Sequence, residues 1–403
     1  MTHPILTSPR PPAGARRPPA ARPWRAERSR LADWWFSVDR VLLATVLVIA
    51  GAGMVLSLAA SPAIALKRGL PAFYFVERHF LFALAAVTIM LVVSFLDPAR
   101  VRRLSLLVLL VGVGMLIAVL AGGMEINGAR RWLHVAGYSL QPSEPAKPAF
   151  AVISAWLLAE ASKRNDVPAM PLAVAVYLLF ASLLVMQPDI GQTLLVSLVW
   201  CALFFLAGKP LRWFLAIVAA LAGGLAAAYF TFGHVRSRID RFFNPAIGDS
   251  FQTERALQSI IEGGLFGRGP GEGTIKTVLP DAHTDFIFAV IAEEYGVLAC
   301  LVILGLFALV VVRVFSRQLD EPDPFARLAS AGLGLLFGLQ AIINMAVNAG
   351  LVPAKGITLP LISSGGSSAL GVGFGLGMLL ALTRRRPDPA RVKKPSFLPN
   401  PAT

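Results

Sequence analysis

The residue in this sequence best placed to do chemistry is an acid at the join of a polar loop and an apolar run. Asp285 sits in the stretch LPDAHTDFIFAVIAEE, Leu279 to Glu294. A charged side chain at the edge of a hydrocarbon layer costs free energy unless it is solvated or paired, so its presence there marks a functional candidate. Nearby in sequence are Arg268 and Lys276 in the preceding loop and His283, while Lys355 lies in a later loop, GLVPAKG. A carboxylate that takes a proton, with cations to stabilise a departing charge, suits a reaction on a phosphate linked to a lipid. The alternative is that Asp285 neutralises arginines of neighbouring helices and Lys355 snorkels to headgroups. Glu293 and Glu294 lie on the same run, roughly 12–14 Å deeper if it is a helix rising about 1.5 Å per residue. For that pair, packing and function are equally open.

Other clusters have simpler accounts. RRWLHVAGYSLQPSEPAK, Arg130 to Lys147, holds Trp132 and Tyr138, which fit a belt of interfacial aromatics. Its Glu144 and Lys147 are three apart and can pair on one helix face as a structural salt bridge. QPDIGQ, Gln187 to Gln192, is a short turn whose Asp189 suits the first turn of a following helix. Gln340, Asn344 and Asn348 recur every four residues and form a polar stripe, which must face protein or a wet cavity; gluing helices explains it better than lining a path. LPLISSGGSS, with Ser367 near its end, runs into Gly371, Gly373, Gly375 and Gly377, small residues that permit close helix packing. No strand precedes these glycines, so a nucleotide-phosphate loop is not supported. The histidines, His3, His79, His134, His234 and His283, lack metal-ligand spacing. A divalent ion bridging Asp285 and a substrate diphosphate is compatible with the sequence.

The elements that must position these groups are membrane helices. Of 403 residues 56% are hydrophobic and 15% charged, a balance that a soluble domain of this length could not keep in solution. Apolar runs of about 20 residues recur from Val41 to Leu382, each able to cross a hydrocarbon core as a helix. The fold class expected is all-α, a polytopic membrane protein with spans near 41–60, 77–96, 104–122, 143–161, 170–186, 190–207, 211–231, 285–312, 326–349 and 361–382. Arg100, Arg102, Arg103, Lys163, Arg164, Lys209, Arg212, Arg313, Arg317 and Arg327 then fall on one side, together with two basic tails. The rule that cytoplasmic loops are positive puts both termini inside and the 232–284 loop outside. Residues 1–38, rich in Pro and Arg, are expected to be a disordered cytoplasmic tail, 39–383 the membrane domain, and 384–403 a second basic tail. The net charge of +14 is therefore topology, not a nucleic-acid footprint. Cys201 and Cys300 lie inside apolar runs, so no disulfide framework is expected, and the arginine-rich start argues against a cleavable signal peptide.

The ordered motifs resemble the SEDS family (shape, elongation, division and sporulation). They are ARRW at Ala129 to Trp132, QPSEPAK, QPDIGQ, FGRGPGEG at Phe266 to Gly273, LPDAHTDFIFAVIAEE, GLVPAKGITLPLIS and GGSS at Gly365 to Ser368. The match runs from about Val41 to Thr383; the long basic tail and the FGRGPGEG wording favour the division branch over the elongation branch. One departure is Ser364, where the family commonly has tyrosine. The resemblance implies ten helices and a glycosyltransferase polymerising lipid II at the outer face of the bacterial inner membrane, at the division septum. It also implies a class B penicillin-binding transpeptidase and other division proteins as partners. It carries the catalytic aspartate onto Asp285 and substrate contacts onto Lys355, Arg131 and Trp132, with Lys276 and His283 as further candidates. Glu144, Lys147, Asp189, Gln192, Asn344 and Ser367 are implied supports. A divalent cation, Mg2+ or Mn2+, is an optional cofactor. The rival readings are a flippase for the same lipid, the elongation-type enzyme, and a non-enzymatic scaffold.

Overall fold

The computed structural model describes residues 29–385 apart from 127–128, 136–137, 164–165, 232, 234–235, 238–239, 241–250, 280 and 354–355. Lys355, residues 1–28 and residues 386–403 therefore lie outside the described residues. The chain divides into a unit up to Ser37 and a unit from Val38 onward. In the first, a helix α1, Arg30–Ser37, occupies part of the tail expected to lack structure. Its sequence RLADWWFS is apolar enough to form one, unlike the Pro/Arg-rich stretch before it.

The second unit is helical, and every expected span coincides with a helix. They are α2 (Arg40–Ala60), α4 (Tyr74–Ser94), α5 (Pro98–Gly122), α6 (Ser143–Lys163), α7 (Ala169–Met186), α8 (Ile190–Leu206), α9 (Leu211–Thr231), α11 (Ile287–Gln318), α12 (Pro324–Asn348) and α13 (Gly366–Leu382). A short helix α3, Pro62–Lys67, precedes α4. Among the described residues seven helices are long and apolar enough to cross a membrane: α2, α4, α5, α7, α9, α11 and α12. Helices α8 and α13 are apolar but have 17 residues each.

The structure departs from expectation in the loops. Residues 124–140 form a three-stranded antiparallel sheet, β1 (Met124–Ile126), β2 (Ala129–Val135) and β3 (Tyr138–Leu140), where only a loop was expected. The strands are three, seven and three residues long, too short for a period-two pattern to stand out. The 232–284 loop, whose fold the sequence leaves open, contains α10 (Phe251–Gly263) and a 3-10 turn, Ile275–Thr277. The last span begins at Gly366, with the LPLIS residues as a non-helical approach.

Packing uses the glycines as the sequence suggests. Any side chain at Gly373 would meet the Ala86 carbonyl, at Gly377 that of Met90, and at Gly371 that of Glu144, so α13 lies directly on the backbones of α4 and α6. Buried Asp39 caps α2 through Val41 N (3.1 Å) and Leu42 N (3.2 Å). It also accepts from Arg313 Nε (2.9 Å) and Arg317 Nε (2.7 Å) on α11. Two arginines that served as topology markers thus close the bundle. Burial works against ionisation of Asp39, but Arg317, the Leu42 amide and Arg313 outweigh it and hold the carboxyl below the usual range. Asp39→Ala should strand two cations and lower unfolding stability by about 3 kcal/mol, read by thermal melts in detergent. Because the folded pKa is depressed, the gap should be full above the unfolded pKa and close as pH falls below it.

Candidate active site

The segment carrying Asp285 is fixed through its backbone. The carbonyl of Asp285 accepts from Asn344 Nδ2 and Asn348 Nδ2, both at 2.9 Å. Asn344 also donates to Ile357 O (2.7 Å), and Asn348 Oδ1 accepts from Ala289 N (3.0 Å). Ser363 Oγ donates to Thr284 O (2.6 Å), and Ser364 N donates to His283 O (2.9 Å). The polar stripe of α12 therefore glues two irregular segments, 283–285 and 356–358, to one helix face.

The Asp285 side chain is left out of this lattice. Among the described residues its carboxylate has no hydrogen bond or ion pair, although it is only partly exposed. Gly356, at φ +64°, lies against it: a Cβ there would sit 3.5 Å from Asp285 Oδ2. That positive φ favours glycine, which also keeps the approach open. Burial, and secondarily the charge of Asp281, pushes the Asp285 carboxyl up to about 7. An acid with that pKa exchanges a proton readily near neutrality, as a general base must.

His283 packs against Phe75 with ring centroids 4.6 Å apart and the planes tilted by 38°. Burial, then the Arg68 charge, lowers its pKa to about 4, so it is neutral at pH 7 and offers no cation. Arg68 itself was not singled out from sequence; it lies over Phe75 (5.6 Å) and 3.9 Å from Asp281, half-exposed. Its signal was a Lys67–Arg68 pair in a loop assigned to the outer side, against the trend of the other positive charges.

Lys276 is not a free surface cation. It is buried, pairs with Glu294, and donates to Gly271 O (3.1 Å) and Ala59 O (3.2 Å). The acids of AEE likewise hold backbone. Glu293 accepts from the amides of Thr274 (2.6 Å), Ile275 (2.8 Å) and Lys276 (3.2 Å), and Glu294 from Gly271 N (3.0 Å). Helix α11 breaks at Gly296 (φ 79°, ψ 176°), and FGRGPGEG closes on the break. Arg268 N donates to Glu293 O (2.9 Å) and Gly269 N to Glu294 O (3.0 Å), while Val297 N donates to Gly264 O (2.9 Å). The acids sequence left open between packing and function are thus anchors for the outer loop.

Arg131 on β2 donates to Pro188 O and Gln187 O (3.4 Å) and lies 3.6 Å from Asp189. It ties the sheet to the α7–α8 turn. Asp189 also caps Gln192 N (3.4 Å), as expected. Trp132 on the same strand is half-buried. Lys147 pairs with Glu144 (2.9 Å) and reaches Gln192 Oε1 (2.7 Å) and Gln340 Oε1 (3.5 Å), all buried. Gln340 Nε2 then donates to Thr358 O (3.1 Å), linking this ion pair to the segment beside Asp285. Ser367 Oγ accepts from Gln141 N (3.0 Å) and joins the sheet's exit to α13. The structure thus gathers Asp285, His283, Asn344 and Gln340 with Glu144, Lys147 and Gln192 in one connected region, while Arg131, Asp189 and Lys276 are engaged with the chain itself.

The Asp285 carboxyl yields a stability test. Its folded pKa lies above the unfolded value of 3.8, so the fold retains a proton the unfolded chain has lost, and stability falls as pH rises to about 7. Asp285→Asn removes that dependence. The variant should gain on wild type progressively between pH 4 and 7, by at most about 4 kcal/mol, and hold a constant lead above. Melting curves over that range check it; parallel curves would show an ordinary carboxyl.

This arrangement has close counterparts. A family model described as cell cycle protein, covering FtsW, RodA and SpoVE, matches residues 39–387. The chain is 44% identical over 364 residues to a probable peptidoglycan glycosyltransferase FtsW of Caulobacter vibrioides, covering 90% of this chain and 93% of the relative. A protein of the same description from Tolumonas auensis is 34% identical over 365 residues, covering 88% and 94%. Among solved structures, a chain of a peptidoglycan synthase complex aligns with a TM-score of 0.72 at 28% identity, covering 87% of this chain and 98% of that one. The rod shape determining protein RodA of Thermus thermophilus aligns at 0.65, also at 28% identity, covering 87% and 97%. Fold, motifs and relatives agree: this chain belongs to the FtsW/RodA/SpoVE family of membrane proteins.

Proposed function

We propose that this protein is a peptidoglycan glycosyltransferase of the division type, polymerising lipid II at the outer face of the inner membrane during septal wall synthesis. The observation that carries the reading is Asp285: a partly buried carboxylate, unpaired among the described residues and poised near pH 7, on a backbone pinned from several sides. Two relatives described as probable peptidoglycan glycosyltransferases support the substrate and the division role.

In this reaction the hydroxyl oxygen of one lipid-linked sugar attacks the anomeric carbon of another. Asp285 takes the hydroxyl proton as the new carbon–oxygen bond forms and the bond to the undecaprenyl diphosphate breaks, with inversion. Holding both lipids in one groove lowers the entropic cost of the chemical step. Lys355 is proposed to meet the diphosphate charge, and exposed Arg68 is a second cation on the same side. Arg131 and Trp132 are proposed to shape the groove wall, since Arg131 already serves Asp189. Asp285 is the side chain that would hold a divalent cation, Mg2+ or Mn2+, and the ion would supply charge stabilisation for the departing diphosphate. Both termini are proposed to be cytoplasmic, with a class B penicillin-binding transpeptidase and other division proteins as the proposed company; a related chain belongs to a peptidoglycan synthase complex.

The flippase alternative needs Gln340, Asn344 and Asn348 to line a path. Their side-chain amides donate instead to the carbonyls of Thr358, Ile357 and Asp285.

With labelled lipid II, a divalent cation and the transpeptidase, the wild-type chain should make glycan polymer and Asp285→Asn should make at least about 100-fold less while remaining folded. The wild-type rate should rise through pH 7 and level above it, following the carboxylate form of Asp285. Polymer from the variant at near-normal rate would remove Asp285 as base. No polymer from wild type, with lipid transfer across vesicles, would favour the flippase; neither activity would favour a scaffold.

A further inference from the structure

Helix α10 and the turn after it carry an apolar ridge that the described chain does not cover. Ala256, Ser259 and Gly263 are buried. Leu257, Ile261, Leu265 and Phe266 are 43, 70, 62 and 79% exposed. The polar side chains of this segment engage one another: Arg255 Nη1 donates to Gln258 Oε1 (2.6 Å), Gln258 Nε2 to Glu262 Oε1 (2.6 Å), and Arg268 pairs with Glu262 at 2.5 Å. A ridge of this size facing water would invite association.

Two observations say what covers it. The first is continuity with the lipid-facing surface. Leu298 N donates to Leu265 O (3.2 Å) and Val297 N to Gly264 O (2.9 Å), so the turn lies beside residues 297–298 of α11. The exposed apolar side chains of α11 begin there, with Leu298, Leu301 and Val302 at 45, 54 and 64%. A helix of 32 residues that crosses the membrane presents such side chains to acyl chains, and the ridge adjoins that band. The second is the anchoring of an irregular backbone to α11. Gly264 N donates to Ile261 O (3.3 Å), Gly267 N to Gly263 O (2.8 Å), Arg268 N to Glu293 O (2.9 Å) and Gly269 N to Glu294 O (3.0 Å). Non-helical backbone at membrane depth needs protein partners, and these bonds supply them at Gly264, Gly267, Arg268 and Gly269.

We propose that α10 is a re-entrant element whose C-terminal end, with Ile261, Leu265 and Phe266, is immersed in the acyl chains of the leaflet on the Asp285 side. Its partner is bilayer hydrocarbon. The polar start of the helix, with Glu254 and Arg255, stays at the headgroup level, so the helix enters at a slant. The immersed end is bonded to the break in α11, and the same break anchors the loop that leads to Asp285.

The test uses the full chain in phosphatidylcholine–phosphatidylglycerol vesicles carrying a phospholipid with a photoactivatable group on its acyl chain. Adducts on 257–266 should match those on 298–302 and exceed those on 268–276 several-fold. Labelling of 298–302 without 257–266 would overturn the proposal. A second measurement places a nitroxide at Ile261→Cys or Phe266→Cys in a chain lacking Cys201 and Cys300, with Glu254→Cys and Leu301→Cys as references. Relaxation by oxygen above that by a water-soluble reagent, as at Leu301→Cys, supports immersion. The reverse order, as at Glu254→Cys, overturns it. Weak relaxation by both reagents also overturns it, since a second copy or a partner's helix would then cover the ridge.

Discussion

The structure depends first on the carbonyl of Asp285 and the two side-chain amides that grip it. A carboxamide can donate twice and so can bind two carbonyls that no helix or sheet supplies with donors. Asn344 does this for Asp285 and Ile357, and Asn348 for Asp285 and Asn344. Two chain segments some seventy residues apart thereby acquire a common frame on α12. Without these donors, buried carbonyls would stand unsatisfied in a low-dielectric interior, each costing roughly 1–3 kcal/mol. With them, the turns that carry Asp285 can hold an irregular course beside the hydrocarbon.

That frame continues into the bundle. Gln340, one turn from Asn344, joins Thr358 to the buried Glu144–Lys147 pair, and Gln192 Nε2 reaches Glu144 Oε1 at 3.2 Å. A buried ion pair is weak support for stability, since desolvation offsets much of its attraction. Its contribution here is geometric. Only one mutual register of α6, α8 and α12 satisfies all four side chains, and that register sets the height of the 356–358 segment against Asp285. A small cavity bordered by Glu144, Lys147, Phe337 and Gly371 adjoins the pair without separating it.

What sequence could reveal follows from what each feature depends on. Spans were legible because twenty apolar residues leave a chain little choice but a helix, and their edges agree with the helices to within a few residues. The α12 stripe was legible because a four-residue period has only one face to occupy. The sheet at 124–140 was not, because its longest strand has seven residues and its stability comes from pairing across turns. The pairing of Lys276 was hidden for a related reason. Its partner Glu294 is eighteen residues away, brought close by a loop that folds back onto a broken helix, and local spacing carries no trace of that. The contacts of Arg131 were hidden in the same way, since the turn it holds is fifty-six residues distant.

The acids of the LPDAHTDFIFAVIAEE stretch show why residue type alone could not rank them. Glu293 and Glu294 have their oxygens filled by backbone amides and a lysine, donors that cannot leave without unravelling the loop. Asp285 has the same functional group and the opposite circumstance: its backbone carbonyl is held by two side-chain amides, while among the described residues its carboxylate oxygens have no partner. Burial without partners makes ionisation costly, and that cost is what brings a carboxyl to a pKa useful at neutral pH. Such an acid persists only where the surrounding backbone is over-determined, because otherwise the loop would relax to find it a donor. The clamp of asparagines, the serine hooks at 363 and 364 and the clasp on Gly296 are therefore one requirement met in three places: a rigid mount for the Asp285 carboxyl.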